Sequence, residues 1–474
     1  MSPFPPSITP AQIAALPPEF QVLLQAVIDH YEKRIATLEA EVAALKKTPR
    51  NSSLPPSTEH PHAKPPRDQE KKSSGRKPGG QPGHPRHERT LIPAEQCHAV
   101  LPLKPDTCRR CGEALVGSDP EPLRHQVWEI PPIQPLVTEY QLHRLTCPCC
   151  QESTCARLPT GVPASQGGPR LVALVALLMG CFRQSKRRVA LFLESVLNQP
   201  CSAGWVVKLQ QQAMAAVTPA CEELAKQLPA EGVLRIDESP TKQGKTKAWL
   251  WTFVAGSYTV FALRTTRAAT VLQEYLTDAF DGVINCDRAK MYWKNGRLQW
   301  CWAHLKRDFQ ALIDHPDHQV KRLGHDLMRC TRELFRHWSR CRDGTITRVG
   351  MLRLMRPIRH ELEGFLLRGM FSGNPEISGM CRELCNHREW LWTFLEVDGV
   401  EITNNASERA LRHAVIWRKL SFGTQSPHGS QFVAKILTVV ETCRQQSRGV
   451  FDYLTTTMQA HFADEAAPSL LARA

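Results

Sequence analysis

"VLRIDESPTKQGKTKAWLWTFVAGSYTVFALRTT", residues 233–266, contains three apolar segments of strand length. The first, "VLRIDE", ends in acidic residues, and the second, "KAWLWTFVAG", alternates Trp249, Trp251 and Phe253 on one face. Gly256 and Ser257 then form a two-residue turn into "YTVFALRTT". The stretch predicts a three-stranded meander.

The chain after the meander alternates helical and strand patterns. A helical stretch from Ala268 to Phe280 precedes the strand "GVINCD", a short helical piece, the strand "LQWCWAH" and the helix "LKRDFQALI". The predicted order is βββαβαβ, which is ribonuclease-H-like. A long, arginine-rich helical stretch from about Asp314 to Leu395 follows as an insertion.

Two acidic residues end apolar strands of this core. Asp237 closes "VLRID" and Asp287 closes "GVINCD". In a sheet with parallel neighbours, the carboxyl ends of strands are where ligands and metals collect. Glu238 is expected to point to the opposite face from Asp237, and it is therefore a poor metal partner for it.

A third acid, Glu408, lies in "ITNNASERALR", residues 402–412. Asn405 followed by Glu408 has the spacing of a capping box, in which each side chain binds the other's backbone N–H. On a helix beginning near 406, however, Glu408 shares a face with Leu411 and Val415 and borders the core. The pattern leaves both roles open, helix cap and catalyst.

Three carboxylates in this arrangement are typical of a site for two Mg²⁺ or Mn²⁺ ions. Two such ions roughly 4 Å apart support in-line phosphoryl displacement, with a water or a 3′-hydroxyl as nucleophile. Asp237 would bridge both metals, and Asp287 and Glu408 would each complete one site. Each acid alone is equally compatible with an ordinary surface charge. Candidates for contacts to these ligands or to phosphate are His304, Asn404, Asn405, Arg409 and Arg412.

Composition favours a polyanionic partner. The net charge of +14 and the pI near 9.1 make nucleic acid the first candidate, with a merely soluble basic surface as the alternative. The 17 cysteines together with the start "MSPFPPSITP" favour a reducing cytoplasm over secretion. The longest apolar run, residues 171–182, is too short to span a bilayer and predicts a buried helix, so no membrane is expected.

The N-terminal segment carries a heptad pattern typical of a parallel two-stranded coiled coil. Glu39 and Lys46 are predicted to form interchain pairs with Arg34 and Glu41 respectively, and the alternative is a helix packed on its own chain. Proline-rich, basic chain follows, either as a solvated linker or as an arm along phosphates. The seam has Ile28, Ile35 and Val42 at a, and Leu24, Tyr31, Leu38 and Leu45 at d.

Two matched CxxC pairs predict one Zn²⁺ held by Cys108, Cys111, Cys147 and Cys150. "HQVWEI" and "LVTEYQLHRL" between the pairs predict strands, which would make this module a zinc ribbon with a long hairpin insert. Cys149 is a rival ligand. Structural or redox thiols are the alternative to a metal site.

Residues 187–217 predict two helices joined by the turn "NQPCS", with Ser202 capping the second helix. This spacing is similar to that of a helix-turn-helix, in which Gly204, Trp205 and Lys208 would meet DNA. Two ordinary core helices would give the same pattern. DNA contacts by Ser202, Trp205 and Lys208 are therefore a hypothesis.

Successive motifs over nearly the whole chain resemble the insertion-sequence-sixty-six type of DDE transposases, often called TnpC. They are "NSSLPPS", "GRKPGGQPGHP", the cysteine pairs, "IDESPTK", "AHLKRDF", and "NNASERALR" with "RKLSFG" beyond it. The resemblance implies that Asp237, Asp287 and Glu408 are the catalytic triad, and that accessory proteins are encoded by the same element. The family usually has Gly-Tyr after the second acid, where this chain has Arg288 and Ala289. Either the local turn differs or activity is reduced.

The sequence thus predicts a multidomain α+β DNA transposase that binds the ends of its mobile element, cuts them and joins them to target DNA. It is expected in the bacterial cytoplasm, associated with the nucleoid when bound to DNA. The alternatives are a non-catalytic, zinc-dependent DNA-binding regulator and a nuclease without strand transfer. The predicted segments are a coiled coil (1–48), a linker (49–96), the zinc ribbon (97–160), a helix-turn-helix-like region (161–228), the catalytic core (229–313), the helical insertion (314–395), the final core helices (396–445) and a tail (446–474).

Overall fold

The computed structural model describes residues 15–45 and 89–471. Helix α1, Pro18–Leu45, carries the predicted heptad seam. Tyr31, Ile35 and Leu38 on that seam are exposed by 61%, 54% and 42%. Lys46 and the linker up to residue 88 lie outside the described residues, as do the side chains at positions 39, 41, 42 and 45. The coiled coil and its dimer stay predictions.

The cysteine-rich module differs from the predicted long hairpin. Its strands are β1, Arg144–Thr146, and β2, Ser153–Cys155, which pair antiparallel around the second CxxC. "HQVWEI" forms no strand, and its Val127, Trp128 and Ile130 are largely exposed. The β propensity of this segment was misleading, because a strand needs a partner edge and a face to bury.

Three α-helices lie between the cysteine-rich module and the central sheet. They are α2, Pro169–Gly180, α3, Lys186–Leu197, and α4, Ala203–Gln227. The apolar run within α2 is buried as predicted, and no helix among the described residues is long and apolar enough to cross a membrane. Ser202 caps α4 by accepting a hydrogen bond from the Trp205 N–H, as predicted.

The central part of the chain forms β3 Val233–Gln243, β4 Thr246–Val254, β5 Thr259–Arg264, α5 Thr270–Leu276, β6 Val283–Cys286, β7 Arg297–Trp300 and α6 Trp302–Ile313. The five strands make one sheet in the order β5-β4-β3-β6-β7. β3 pairs antiparallel with β4, and β4 with β5, whereas β6 is parallel to both β3 and β7. The βββαβαβ order predicted from the sequence is therefore present.

The helical insertion and the final helices complete the chain. The insertion comprises α7 His318–Arg342, α8 Arg348–Met370, α9 Pro375–Asn386 and α10 Glu389–Glu396. They are followed by α11 Asn405–Ser421, α12 Pro427–Gln445 and α13 Val450–Phe462. The predicted C-terminal tail thus contains a helix, α13, which packs on α2.

Helix α12 covers the edge of the sheet that is formed by β5. The Thr438 hydroxyl accepts a hydrogen bond from the N–H of Phe261, and the Thr442 hydroxyl accepts one from the N–H of Thr259. Both donors belong to the edge strand β5. An uncovered edge strand invites pairing with other chains, so these side chains satisfy the edge and fix α12 on the sheet.

The exposed seam of α1 generates a testable prediction. Replacing Ile35 and Leu38 with Lys places charges in the predicted dimer contact, so the mass measured by analytical ultracentrifugation should fall from dimer to monomer. Val22→Lys, an exposed apolar position off the seam, is the control and should leave the mass unchanged. An unchanged mass for the double variant would mean that the seam does not hold two chains together.

Candidate active site

The pairing register of β3 and β6 sets two acids side by side. Arg235 pairs with Asn285 in the last step of the parallel ladder. Asp237 follows two residues later within β3, and Asp287 follows two residues later, directly after the end of β6, so both lie just past the end of that ladder. β3 itself continues to Gln243 along β4. The prediction that Asp237 ends its strand was therefore wrong, although the parallel pairing does end there.

Both aspartates are held by the main chain beside them. Asp237 Oδ1 accepts a hydrogen bond from the Glu238 N–H at 2.9 Å, and Asp287 Oδ1 accepts one from the Ala289 N–H at 2.8 Å. Each carboxylate keeps its other oxygen for a further ligand. These local bonds limit rotation of the side chains and orient the two groups.

Glu408 does not form the predicted capping box. The cap residue of α11 is Asn404, and Asn405 is the first, exposed helical residue. The Asn404 side chain makes no cap hydrogen bond, because its Nδ2 donates to the Ile236 carbonyl in β3 at 2.7 Å. A tertiary contact has thus replaced the local cap, and Glu408 is free to face the acids.

The segment before α11 is fixed to the sheet from several sides. Asn285 in β6 donates its Nδ2 to the carbonyls of Glu401 and Thr403, at 2.6 and 3.2 Å. The Trp302 N–H donates to the Ile402 carbonyl at 2.9 Å. The sequence signal for this clamp is Asn285 itself, a fully buried polar residue within an apolar strand. The sequence analysis did not single it out.

His304 and Arg307 on α6 face Glu408. Glu408 Oε1 lies 3.9 Å from His304 Nδ1 and 3.8 Å from the Arg307 guanidinium. His304 Nδ1 is buried and has no hydrogen-bond partner, and the same is true of Asn404 Oδ1. Burial and the nearby Arg307 lower the pKa of His304, so the imidazole is neutral and can accept a hydrogen bond.

Uncompensated negative charge dominates the site. Burial raises the pKa of Asp237 well above its ordinary value, and the neighbouring carboxylates of Glu238, Asp287 and Glu408 raise it further. Like charges in a buried position disfavour ionisation unless a cation joins them. This electrostatic arrangement fits a cation bound among the three predicted acids.

Glu238 is charge-paired rather than free. Its buried carboxylate accepts hydrogen bonds from the Arg267 guanidinium at 2.6 Å and from the Tyr292 hydroxyl at 2.5 Å. Burial is the main cause that raises the pKa of Glu238 to about 7. Its oxygens are thus already bound by Arg267 and Tyr292, two residues that sequence reasoning missed, and the prediction that Glu238 is a poor metal partner stays a prediction.

Arg288 stands directly after Asp287, where the resembled family usually has glycine, and it is held by two ion pairs. Its guanidinium binds Asp308 on α6 at 2.8 Å and Glu383 on α9 at 3.2 Å. The residue after the second acid thus ties the site loop to the helical insertion. Both ion-pair partners of Arg288 are therefore carboxylates other than Asp287.

The acids do not form a closed metal site. Within residues 15–45 and 89–471, no three or more His, Cys, Asp and Glu side chains are spaced so that they could hold a metal ion. Asp237 is near enough to Asp287 and Glu408 for their charges to act on it. The three carboxylates are not at ligand distance from one shared point.

The two cysteine knuckles repeat the same local structure. The Cys108 N–H donates to the Glu113 carbonyl and the Cys147 N–H to the Glu152 carbonyl, at 2.9 and 2.8 Å. Gly112 and Gln151, the residues after each pair, both have positive φ, +74° and +63°. Each knuckle is formed, but the four sulfurs, like the three acids, are not grouped closely enough to hold a metal ion in the described residues.

Each knuckle favours a thiolate at its first cysteine. Backbone N–H groups of Cys111 and Arg110 donate to the Cys108 sulfur and lower the pKa of its thiol. Those of Cys150 and Cys149 do the same for Cys147. In this repeat Cys149 occupies the place of Arg110, so the geometry supports Cys150 over Cys149 as the ligand in the second pair.

The remaining predicted contact residues lie apart from the acids. Arg409 and Arg412 are exposed on the outer face of α11, and no role for them follows from their contacts. On α4, Lys208 is exposed, whereas Trp205 packs partly against the core. The recognition hypothesis for α4 stays untested.

Comparison with known proteins identifies the family. A family model described as "Transposase IS66 family" matches residues 164–432, more than half of the chain. The chain belongs to this transposase family. The zinc-finger binding domain of IS66 transposases matches residues 105–151, and a family of unknown function, DUF6444, matches residues 5–90.

One curated relative is similar over part of the chain. It is "Uncharacterized protein y4qI" of Sinorhizobium fredii, which is 26% identical over 245 residues. The match covers 46% of this chain and 45% of that relative. The chain thus spans less than half of the relative's length. Membership of the transposase family with its zinc-finger domain establishes the coarse class of function.

Proposed function

We propose that this IS66-family chain is a DNA transposase that cuts the ends of its mobile element and joins the freed 3′-hydroxyls to target DNA. The observation that carries the proposal is the convergence of Asp237, Asp287 and Glu408 from β3, the end of β6 and α11. The sheet order β5-β4-β3-β6-β7 supports a ribonuclease-H-like core around them.

Asp237, Asp287 and Glu408 would hold two divalent cations, Mg²⁺ or Mn²⁺. Hard carboxylate oxygens suit these ions, and the buried negative charge on Asp237 needs a cation. When bound, the ions would activate the attacking oxygen and stabilise the leaving oxygen of the phosphodiester. In the described residues the three acids are not at ligand distance from one point, so metal binding would require their side chains to move together.

The surrounding residues position these ligands. Asn404 fixes the first turn of α11 against β3, so it determines how far Glu408 stands from Asp237. The neutral, unpartnered His304 Nδ1 can accept a hydrogen bond from a water or hydroxyl next to Glu408. Arg307 supplies positive charge beside the same carboxylate and is placed to contact a phosphate.

The other segments serve assembly and DNA binding in this proposal. The N-terminal helix would pair two chains, so that two element ends are held together. The zinc-finger domain and the α3–α4 region would bind DNA, and accessory proteins of the same element would act with the chain. The net charge of +14 supports a polyanionic partner.

Glu408→Gln tests catalysis without a folding defect. Because Glu408 is not part of a cap, the amide should leave α11 and the melting temperature unchanged, while it removes an anionic ligand. Cleavage and joining of labelled element ends in Mg²⁺ should fall by about 10³-fold or more, with DNA binding retained. Glu401→Gln, an acid just before α11, is the matched control and should keep wild-type rates.

The outcome separates the rival functions. Near-native cleavage by Glu408→Gln would remove Glu408 from the catalytic set. Wild-type protein that cuts but does not join strands would be a nuclease, and protein that does neither while binding DNA would be a non-catalytic regulator.

We further propose that one Zn²⁺ stabilises the fold of the zinc-finger domain. Its ligands would be Cys108, Cys111, Cys147 and Cys150. The donor set and the lowered thiol pKa values of Cys108 and Cys147 fit zinc. Small modules with little core commonly depend on such a metal for their fold. Binding would bring the two formed knuckles together.

Elemental analysis tests the zinc proposal. Wild-type protein should contain one Zn²⁺ per chain, and Cys108→Ser should lose it, because three ligands bind far more weakly than four. Cys149→Ser is the matched control and should keep the metal, since Cys149 occupies the non-ligand place in its knuckle. Zinc retained by Cys108→Ser but lost from Cys149→Ser would contradict the assignment.

A further inference from the structure

The hairpin formed by β3 and β4 ends in a two-stranded tip, residues 241–248. β6 pairs with β3 over residues 233–235, and β5 pairs with β4 from Trp249 onward, so neither strand reaches the tip. At about 3.3 Å per residue, Gln243 lies about 20 Å beyond Asp237 along β3. The tip therefore projects past the parallel strands in the direction in which they end at the acids.

The tip is fixed to the end of α11, the helix that carries the third acid. The Gly244 N–H donates to the Thr424 carbonyl at 2.7 Å, and the Thr424 N–H donates to the Lys242 carbonyl at 2.9 Å. In the last turn of α11, the Arg418 guanidinium donates to the Ser239 hydroxyl at 3.0 Å. At about 1.5 Å per residue, α11 also spans about 20 Å between that acid and its end. The tip and the acids are thus joined through both β3 and α11.

Three exposed lysines, Lys242, Lys245 and Lys247, lie on the tip. Lys242 and Lys247 are paired directly across the two strands, so their side chains share one face. Like charges in that position destabilise a strand pair. In the part of the chain that the structure describes, no carboxylate lies within 4.0 Å of these three ammonium groups. An anionic partner would remove the repulsion between them.

The chain around the tip keeps this charge unopposed. Residues 239–273 contain no Asp or Glu, and neither do residues 409–440, which include the loop bonded to the tip. Instead of an acid, an aromatic ring gathers the cations. Lys247 Nζ lies 4.9 Å from the centre of the Trp249 ring, and the Arg267 guanidinium lies 5.0 Å from it. These contacts hold positive charge on one face of the hairpin.

Phe422, directly after α11, is an exposed aromatic residue in a strained backbone conformation. Its φ of +57° lies in the left-handed region that favours glycine, and 82% of the residue is exposed. The next residue, Gly423, packs so closely on Lys242 that a Cβ there would collide with the Lys242 carbonyl oxygen. Phe422 therefore stands beside the tip, where its ring costs stability without being buried.

We propose that Lys242, Lys245, Lys247 and Phe422, the tip surface, bind the DNA that leads away from the acids. This inference rests on the proposed function, because it takes the acids as the place of cleavage. The lysines would contact backbone phosphates, and the Phe422 ring would stack on a base of the same DNA. Since phosphates follow one another at about 3.4 Å along each strand, the contact would lie about six base pairs from the cleaved phosphate.

Salt-dependent DNA binding tests the lysines. Fluorescence anisotropy with a duplex of an element end is measured over a NaCl series in EDTA, so that no cleavage is needed. Lys242→Gln combined with Lys247→Gln should reduce the slope of log affinity against log salt by about 1.8, the loss of two phosphate contacts. The melting temperature should not fall, because the variant removes a like-charge pair.

The matched control removes the same charge elsewhere. Lys226 and Lys294 are exposed at the end of α4 and before β7, away from the tip. Their double replacement by Gln should leave the slope near that of wild type. A tip variant that behaves like this control would overturn the role of the lysines.

Phe422→Gly separates a DNA contact from a structural role. Glycine favours the left-handed conformation, so the melting temperature should stay the same or rise. DNA affinity should nevertheless fall about tenfold, through the loss of one stacked base. Leu420→Ala, at an exposed apolar residue in the last turn of α11, is the control and should keep wild-type affinity. Wild-type affinity in Phe422→Gly would remove Phe422 from the tip surface.

Photocrosslinking locates the contact. Benzoylphenylalanine incorporated in place of Phe422 should crosslink about six base pairs from the phosphate at the element end. Crosslinks confined to other positions, or none, would overturn the proposed path of the DNA. Binding and crosslinking need no divalent metal, so these results can fail while metal-dependent cleavage succeeds, and the reverse.

Discussion

The hydrogen bond from Asn404 Nδ2 to the Ile236 carbonyl connects the two halves of the candidate active site. Ile236 precedes Asp237 in β3, and Asn404 begins the helix that carries Glu408. More than 160 residues separate the two partners in sequence, including the whole helical insertion. This bond and the Asn285 clamp beside it fix the start of the Glu408 helix against the strands that precede the two aspartates.

Electrostatics then determine what the site can bind. Asp237 lies among three other carboxylates, and one of them, Glu238, is hydrogen-bonded to the Arg267 guanidinium and the Tyr292 hydroxyl. The remaining carboxylates, Asp237, Asp287 and Glu408, are the proposed metal ligands. Because Glu238 is bound by Arg267 and Tyr292, three acids remain as candidate ligands for the cations. The same two partners explain how Glu238 can lie beside Asp237 without being a ligand itself.

The sequence allowed the strand order to be predicted because apolar alternation and turn residues are local signals. It placed the end of β3 at Asp237 wrongly, since "SPTK" lacks apolar residues and pairs only because β4 is its neighbour. The capping box failed for a similar reason, because the β3 carbonyl that binds Asn404 is distant in sequence. In the zinc-finger domain the CxxC spacing predicted two local knuckles, but "HQVWEI" found no sheet to join.

Electron paramagnetic resonance of Mn²⁺-loaded protein tests the central claim most directly, which is that the β3–β6 register and α11 bring three acids around two cations. The account predicts two Mn²⁺ ions per chain with the exchange coupling of a pair roughly 4 Å apart, and loss of that coupling in Asp287→Asn. Only isolated Mn²⁺ signals, or a coupled pair that persists in Asp287→Asn, would contradict it.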